Sequence, residues 1–222
     1  IITCVECGRK TKKSYDQGYC FVCSRDLPEN EMCSVRPELC DHENGNEAAK
    51  EFWRTYCNID HFVYLSLTSG VKVGITRHYN IPDRWIDQGA VKGLIIAKVP
   101  ERILSGKIET AVSKNFADKT NWRKMLKSEY EDLDLLEYRE KAHELFPEDL
   151  KCYALENEGI QELVYPVESV PEKITSHNLD KNPEFEDRLT GIKGQYLIFE
   201  TRVINIRKYS GYHLQFDFLG VD

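Results

Sequence analysis

His61-Phe-Val-Tyr-Leu-Ser-Leu-Thr-Ser-Gly-Val-Lys-Val-Gly-Ile-Thr-Arg77, continued by His78-Tyr-Asn-Ile-Pro-Asp-Arg-Trp-Ile-Asp-Gln-Gly89, joins two apolar runs of period two to a short helical segment. Val63, Leu65 and Leu67 recur at every second position, and so do Val71, Val73 and Ile75. Thr68-Ser69-Gly70 lies between the two runs as a turn cluster, so the pattern predicts a β-hairpin. Asn80 is placed to cap a helix starting at Pro82, where proline suits the first turn, and Gly89 is placed to close it. That helix carries Arg84 and Trp85. Gly93 to Val99 is a continuous apolar run, the mark of a central strand. Pro100 then opens a helix expected to reach about Phe116, with Ile108, Val112 and Phe116 on one face and Glu109 one step round from it, at the boundary between buried and exposed. The predicted order is ββαβα.

Upstream of the hairpin, seven of the eight cysteines fall in the first 57 residues. Cys4, Cys7, Cys20 and Cys23 form two Cys-x2-Cys pairs. Each pair can set two thiolates on one metal, and Gly8 and Gly18 permit the tight turns, so the spacing predicts a structural zinc site. Four thiolates leave no open position, so such a zinc staples the fold and catalyses nothing. Disulfides are the alternative, and nothing else in the sequence argues for the oxidising compartment they need. Cys33, Cys40, Cys57 and His61 form a less regular set for a second zinc, with His42 competing for a place. A helix from Glu47 to Cys57, capped by Asn46, is expected to bring Cys57 and His61 toward the Cys33–Cys40 loop. Cys152 reads as a packed or half-exposed thiol.

Downstream, Ser128 to Phe146 reads as an acidic amphipathic helix with Leu133, Leu136, Ala142 and Leu145 as its apolar positions, ended by Pro147. Short segments at Cys152–Leu155, Gln161–Tyr165 and Glu172–Ser176 follow, and Gly194–Glu200, Arg202–Lys208 and Leu214–Phe218 read as strands. The whole is an α+β chain. Residues 1–60 form a cysteine-rich head of zinc-ribbon type, and residues 61–128 the core. Residues 129–149 form an acidic helix, and residues 150–222 a small β-rich unit.

No apolar run approaches the roughly 18 residues of a membrane span and no secretory signal is read, so a cytoplasmic protein without membrane contact is expected. The net charge of −7 is unevenly spread. Residues 72–127 carry twelve Lys or Arg against five Asp or Glu, a local +7, whereas residues 128–187 carry five against eighteen, a local −13. Phosphate contacts depend on the local face rather than the total, so the core is the part suited to nucleic acid.

The hairpin and the helix after it resemble the GIY-YIG nuclease core, whose first strand carries Gly-Ile-Tyr and whose second carries Tyr-Ile-Gly. The counterparts are Phe62-Val63-Tyr64 and Lys72-Val73-Gly74. The chain is also similar to an uncharacterised family that joins a cysteine-rich head to such a core. The resemblance implies a phosphodiesterase in which Tyr64 supplies the hydroxyl, Arg84 clamps the phosphate and Glu109 holds Mg or Mn. Lys72 stands where the motif has a tyrosine; it offers a point charge to phosphate but is a poor base while protonated. His78 and Tyr79, in the loop after the second strand, are placed to replace the missing group.

The alternative is a catalytically inactive module that binds RNA or DNA, or a tRNA-modification factor that docks tRNA through the head. Lys72, Arg77 and Arg84 in the core are the expected backbone contacts. Near the C-terminus, Arg202, Arg207, Lys208, Tyr209, Tyr212 and His213 interleave cations and rings as single-strand binders do.

Overall fold

The computed structural model describes residues 1–116 and 120–218, and it leaves the side chain of His42 undescribed. In the head, β1 (Ile2–Thr3) pairs antiparallel with β2 (Lys10–Thr11), and α1 (Phe21–Asp26) follows. The second cysteine pair therefore opens a helix, with Cys20 at the N-cap position, where a zinc ribbon would have a second hairpin. From Pro28 to Asn44 the chain runs in single 3-10 turns. Next comes α2 (Glu47–Phe52), with the Asn46 side chain accepting from Ala49 N at 2.9 Å as a cap. The expected single helix to Cys57 changes geometry at Trp53, and Trp53–Cys57 is a π-helical turn.

The hairpin forms as its pattern predicts. β3 (His61–Leu67) pairs antiparallel with β4 (Val71–Arg77), with Tyr64 opposite Gly74 and Ser66 opposite Lys72. Then come α3 (Asp83–Gln88), β5 (Lys92–Val99) and α4 (Arg102–Ser113), so the elements follow in the order ββαβα. Gly89 closes α3 at φ 70°, but Asn80 lies in a separate 3-10 turn and Pro82 takes the N-cap position. After α5 (Trp122–Leu126) and α6 (Leu135–Glu144), β6 (Gln161–Glu162) completes the sheet in the order β4-β3-β5-β6.

One face of β3 presents Val63, Leu65 and Leu67, all at zero exposure, to Leu94, Ile96, Ile108 and Val112, the last two from α4. Each such side chain contributes about 1.5–3 kcal/mol by burial, so this seam is the main source of the core's stability. The acidic helix α6 covers the same face through Leu135 and Ala142. It starts later than the composition suggests, because the Asp134 side chain accepts from Leu136 N at 2.9 Å and sets the first turn there. That start turns Leu135 inward and leaves Leu136 exposed. The opposite face of the sheet packs Tyr64, Trp85, Ala90 and Ile95, with Leu155 and Leu163 from the following segments against them.

The last unit is an antiparallel meander of β7 (Leu189–Lys193), β8 (Tyr196–Phe199) and β9 (Val203–Asn205). Two readings of this part do not hold. The strand expected over Arg202–Lys208 stops at Asn205, whose side chain caps a 3-10 turn over Ile206–Tyr209. Leu214–Phe218 forms no strand, and Phe216 and Phe218 are exposed. The meander's third strand is instead β7, which points Thr190 and Lys193 inward and Leu189 and Ile192 outward, the reverse of the usual alternation. Both inward polar groups are satisfied: Lys193 Nζ donates to Ser128 Oγ at 2.7 Å and Thr190 Oγ1 donates to Ser169 O at 2.9 Å. The chain then returns to the head, where Thr3 N donates to Gly211 O at 2.7 Å. Among the described residues, no helix is long and apolar enough to cross a membrane.

Candidate metal centre and core site

The metal centre is built from two local structures. Cys4 and Cys7 flank a tight turn in which Gly8 N donates to Cys4 O at 3.1 Å and Gly8 adopts φ 69°. Cys20 and Cys23 lie on the first turn of α1, reached through Gly18 at φ 128°. A Cβ on Gly18 would stand 2.7 Å from Val5 Cγ1, so glycine also lets the two halves close. The four sulfurs all lie within 4.8 Å of one another, and Cys7 Sγ is 3.9 Å from Cys20 Sγ. Tetrahedral ligands at a Zn–S distance of about 2.3 Å stand roughly 3.8 Å apart, so the cluster fits a metal ion such as zinc.

The protonation of the cluster points the same way. Burial pushes the Cys4 thiol up, but backbone N–H groups of Cys7, Cys20 and Glu6 at its sulfur outweigh that and bring it down to about 6. Cys20 is also lowered, chiefly by the backbone N–H of Cys23. Cys23 is pushed up to about 12, by burial first and then by the neighbouring thiols. One thiolate forms readily, and the last proton leaves only when a cation offsets the accumulated charge.

The core site starts from a β-bulge. The register between β3 and β5 shifts at Val63/Tyr64, where an extra residue re-aims the side chain. Tyr64 lies across Gly74, where a Cβ would stand 2.6 Å from its Oη. Trp85 packs edge-on to the Tyr64 ring at 5.9 Å and rests on Gly93, where a Cβ would stand 2.4 Å from the indole. The Tyr64 hydroxyl accepts from Gln88 Nε2 at 2.9 Å, and the Arg84 guanidinium lies near enough for its charge to act on it. Glu109, half-buried on α4, lies within electrostatic reach of the same hydroxyl. Tyr64 has zero exposure. Burial pushes its hydroxyl above the usual phenol range, and the pull of Arg84 and Gln88 does not reverse this.

Tyr64, Arg84 and Glu109 are thus brought together. Lys72, opposite Ser66, projects on the same face of the hairpin as Tyr64. His78 is not part of the group. It lies four residues beyond Gly74, roughly 13 Å along an extended chain, and its Nδ1 bonds to Asp60 O at 3.1 Å. Arg77 is turned to the other face, with its guanidinium 4.5 Å over the Tyr56 ring. Gln88, which the motif does not single out, reaches the hydroxyl because it lies four residues from Arg84 on a helix facing the sheet, and that spacing is its signal in the sequence.

Several cations of the basic core have local partners, Lys92 with Asp132 at 2.6 Å and Lys98 with Asp60 at 2.7 Å. The C-terminal basic and aromatic set is similarly engaged. Arg202 pairs with Asp187 at 3.1 Å, and Tyr212 donates to Asp180 at 2.8 Å. Arg207 donates to Gln17 and lies 3.8 Å from Asp87. Lys208 sits over the Tyr209 ring at 5.7 Å.

Fold and site together define an α+β protein with a cysteine head able to hold a metal ion. A family model described as "Protein of unknown function (DUF2797)" matches residues 1–214, and the chain belongs to that family. No curated protein and no solved structure matches it.

Proposed function

We propose that this protein acts on nucleic acid. The core holds a backbone phosphate at Arg84 and cleaves the phosphodiester beside it, and zinc in the head stiffens the fold. The observation that carries this reading is the convergence on one hydroxyl, with the charges of Arg84 and Glu109 both in electrostatic reach of Tyr64. A guanidinium placed there neutralises the charge that builds on phosphate during attack. Lys72 adds a second positive charge from the same face of the hairpin. Glu109 is the carboxylate for a divalent ion such as Mg or Mn, which would lower the pKa of an attacking water.

One observation favours a second reading, binding without cleavage. A general base must reach the water it activates, and Tyr64 has zero exposure, with its hydroxyl held by Gln88. On that reading the tyrosine positions Arg84 for phosphate and does no proton transfer. The two separate when end-labelled RNA and DNA are incubated with the zinc-loaded full chain in Mg or Mn. Cleavage abolished by Glu109→Ala, with binding kept, supports the hydrolytic reading. Binding without cleavage in the wild type selects the platform, and the absence of both refutes the proposal.

A further inference from the structure

Outside the head, whose four sulfurs are the one such set among the described residues all within 4.8 Å of one another, Cys33 and Cys57 lie around Cys40 in a looser arrangement. Cys33 and Cys57 are buried, Cys40 is half-buried, and the thiols of Cys33 and Cys57 both hydrogen-bond to Cys40. The loop carrying Cys33 and Cys40 is held firmly. Its Pro37–Leu39 turn packs on α4 at Gly106, where a Cβ would stand 2.4 Å from Glu38 N. Arg102, at the start of α4, donates to Cys33 O at 3.1 Å and to Ser34 O at 3.3 Å. Cys57 arrives from the other side as the last residue of the π-helical turn. Such a turn inserts a residue into a helix and re-aims the side chains after it, and it occurs often at functional sites.

The segment between the head and β3 lacks another means of support. Its described buried residues are Pro28, Cys33, Pro37, Ala49 and Cys57, so cysteines stand where a packed core would have large apolar side chains. A stretch of short turns with so little apolar burial needs a cross-link. A disulfide would join two of the three thiols and strand the third, whereas a metal uses all three. Beside Cys40 and Cys57 a cavity of about 50 Å³ opens, lined in part by Asp41, Glu43 and Glu101. An ordered water needs only about 10–15 Å³, so the cavity has room for a hydrated cation to approach, along acidic walls.

We propose that Cys33, Cys40 and Cys57 are three ligands of a second tetrahedral zinc site, closed by one imidazole, that ties the Cys33–Cys40 loop to the π-helical turn ending at Cys57. Thiolate-rich zinc sites complete their fourth position with histidine or cysteine, and Cys152 is engaged elsewhere, its thiol directed to Asp149 O at 3.9 Å. Two histidines stand near in sequence. His42 lies two residues beyond Cys40, with its side chain outside the described residues. His61 lies four residues beyond Cys57, at zero exposure. Its Nδ1 lies 2.8 Å from Ile59 O, and its Nε2 has no partner among the described residues. A ring that donates Nδ1–H to a carbonyl keeps a lone pair on Nε2, the tautomer a metal requires.

The test counts zinc. The full chain, reconstituted with zinc alone and freed of excess, binds two ions per chain. Cys40→Ser binds one, Cys4→Ser binds one, and the double variant binds none. Either His42→Ala or His61→Ala drops the count to one. The wild-type count needs no variant to fold: one zinc per chain overturns the site. Two zincs in both histidine variants overturns the imidazole.

Discussion

Replacing Gly74 by alanine tests the core site through the sign of a stability change. Gly74 sits in β4 outside the left-handed region, so its backbone accepts alanine. On backbone grounds alone the substitution stabilises by about 0.4–1 kcal/mol, because it restricts the unfolded chain. Against that, the new methyl would stand 2.6 Å from Tyr64 Oη and 2.7 Å from its Cζ. Tyr64 has nowhere to retreat, since it is fully buried, packed on Trp85 and held by Gln88. Overpacking of this kind costs about 1–3 kcal/mol, so the packing term wins and the net loss is about 1–2 kcal/mol. At about 2–4 °C per kcal/mol for a chain of this size, the melting temperature falls by about 2–8 °C. Gly70→Ala is the control, because nothing lies within 4 Å of its Cβ position; its melting temperature stays within about 2 °C of wild type. Thermal denaturation of the two zinc-loaded variants decides the matter. If Gly74→Ala is as stable as Gly70→Ala, Tyr64 does not lie where the core site needs it.

Three more outcomes rest on the same structure. Cys4→Ser removes the metal of the head, and because metal binding and folding are coupled in so small a unit, amide protons of residues 2–26 lose their exchange protection; full protection with the metal gone contradicts this. Tyr64→Phe leaves the half-buried Gln88 amide without this acceptor and lowers stability by about 0.5–1.5 kcal/mol in urea denaturation, and an unchanged midpoint argues against that hydrogen bond. The Asp187 carboxyl is held below the usual carboxylate range: burial raises it, but hydrogen bonds from Thr201 and Arg188 N and the charge of Arg202 prevail. A carboxylate depressed on folding contributes stability above its unfolded value of 3.8 and loses that contribution as the pH falls through the lower folded value. Asp187→Asn therefore destabilises at neutral pH and converges on wild type in acid, and a difference independent of pH refutes the assignment.

The parts of the fold legible in the sequence rest on local rules. The period of two in Val63-Leu65-Leu67 and Val71-Val73-Ile75 specifies the hairpin, because a register slip by one would turn the whole apolar set to the other face. Gly89 and the paired cysteines carry their geometry in a few residues. The illegible parts depend on distant partners. β7 buries Lys193 and Thr190 because Ser128 and Ser169, far away in the chain, accept their hydrogen bonds. In α6, a cap at Asp134 decides whether Leu135 or Leu136 faces inward, and one residue is a rotation of about 100°. The C-terminal cations and rings look available in sequence, but Asp187, Asp180 and Gln17 engage several of them in the fold. In the core, the proximity of Arg84 and Glu109 to Tyr64 is legible from the motif order that the resemblance implies, whereas their roles belong to the proposed function. Gln88 and the depth of the Tyr64 hydroxyl are not implied by that order, since exposure is set by Leu155 and Leu163, which return to that face from beyond α6.

If the core takes a nucleic-acid phosphate at Arg84, as proposed, the affinity must be electrostatic and must depend on that residue. Fluorescence anisotropy of the zinc-loaded chain with single-stranded RNA, duplex DNA and folded tRNA, from low to moderate salt, measures both. Affinity is expected to fall steeply with salt, and Arg84→Ala to lose affinity uniformly across sequences and to lower the salt slope by about one. No binding to any of the three ligands at low salt, or an Arg84→Ala variant with unchanged affinity and slope, contradicts the proposal.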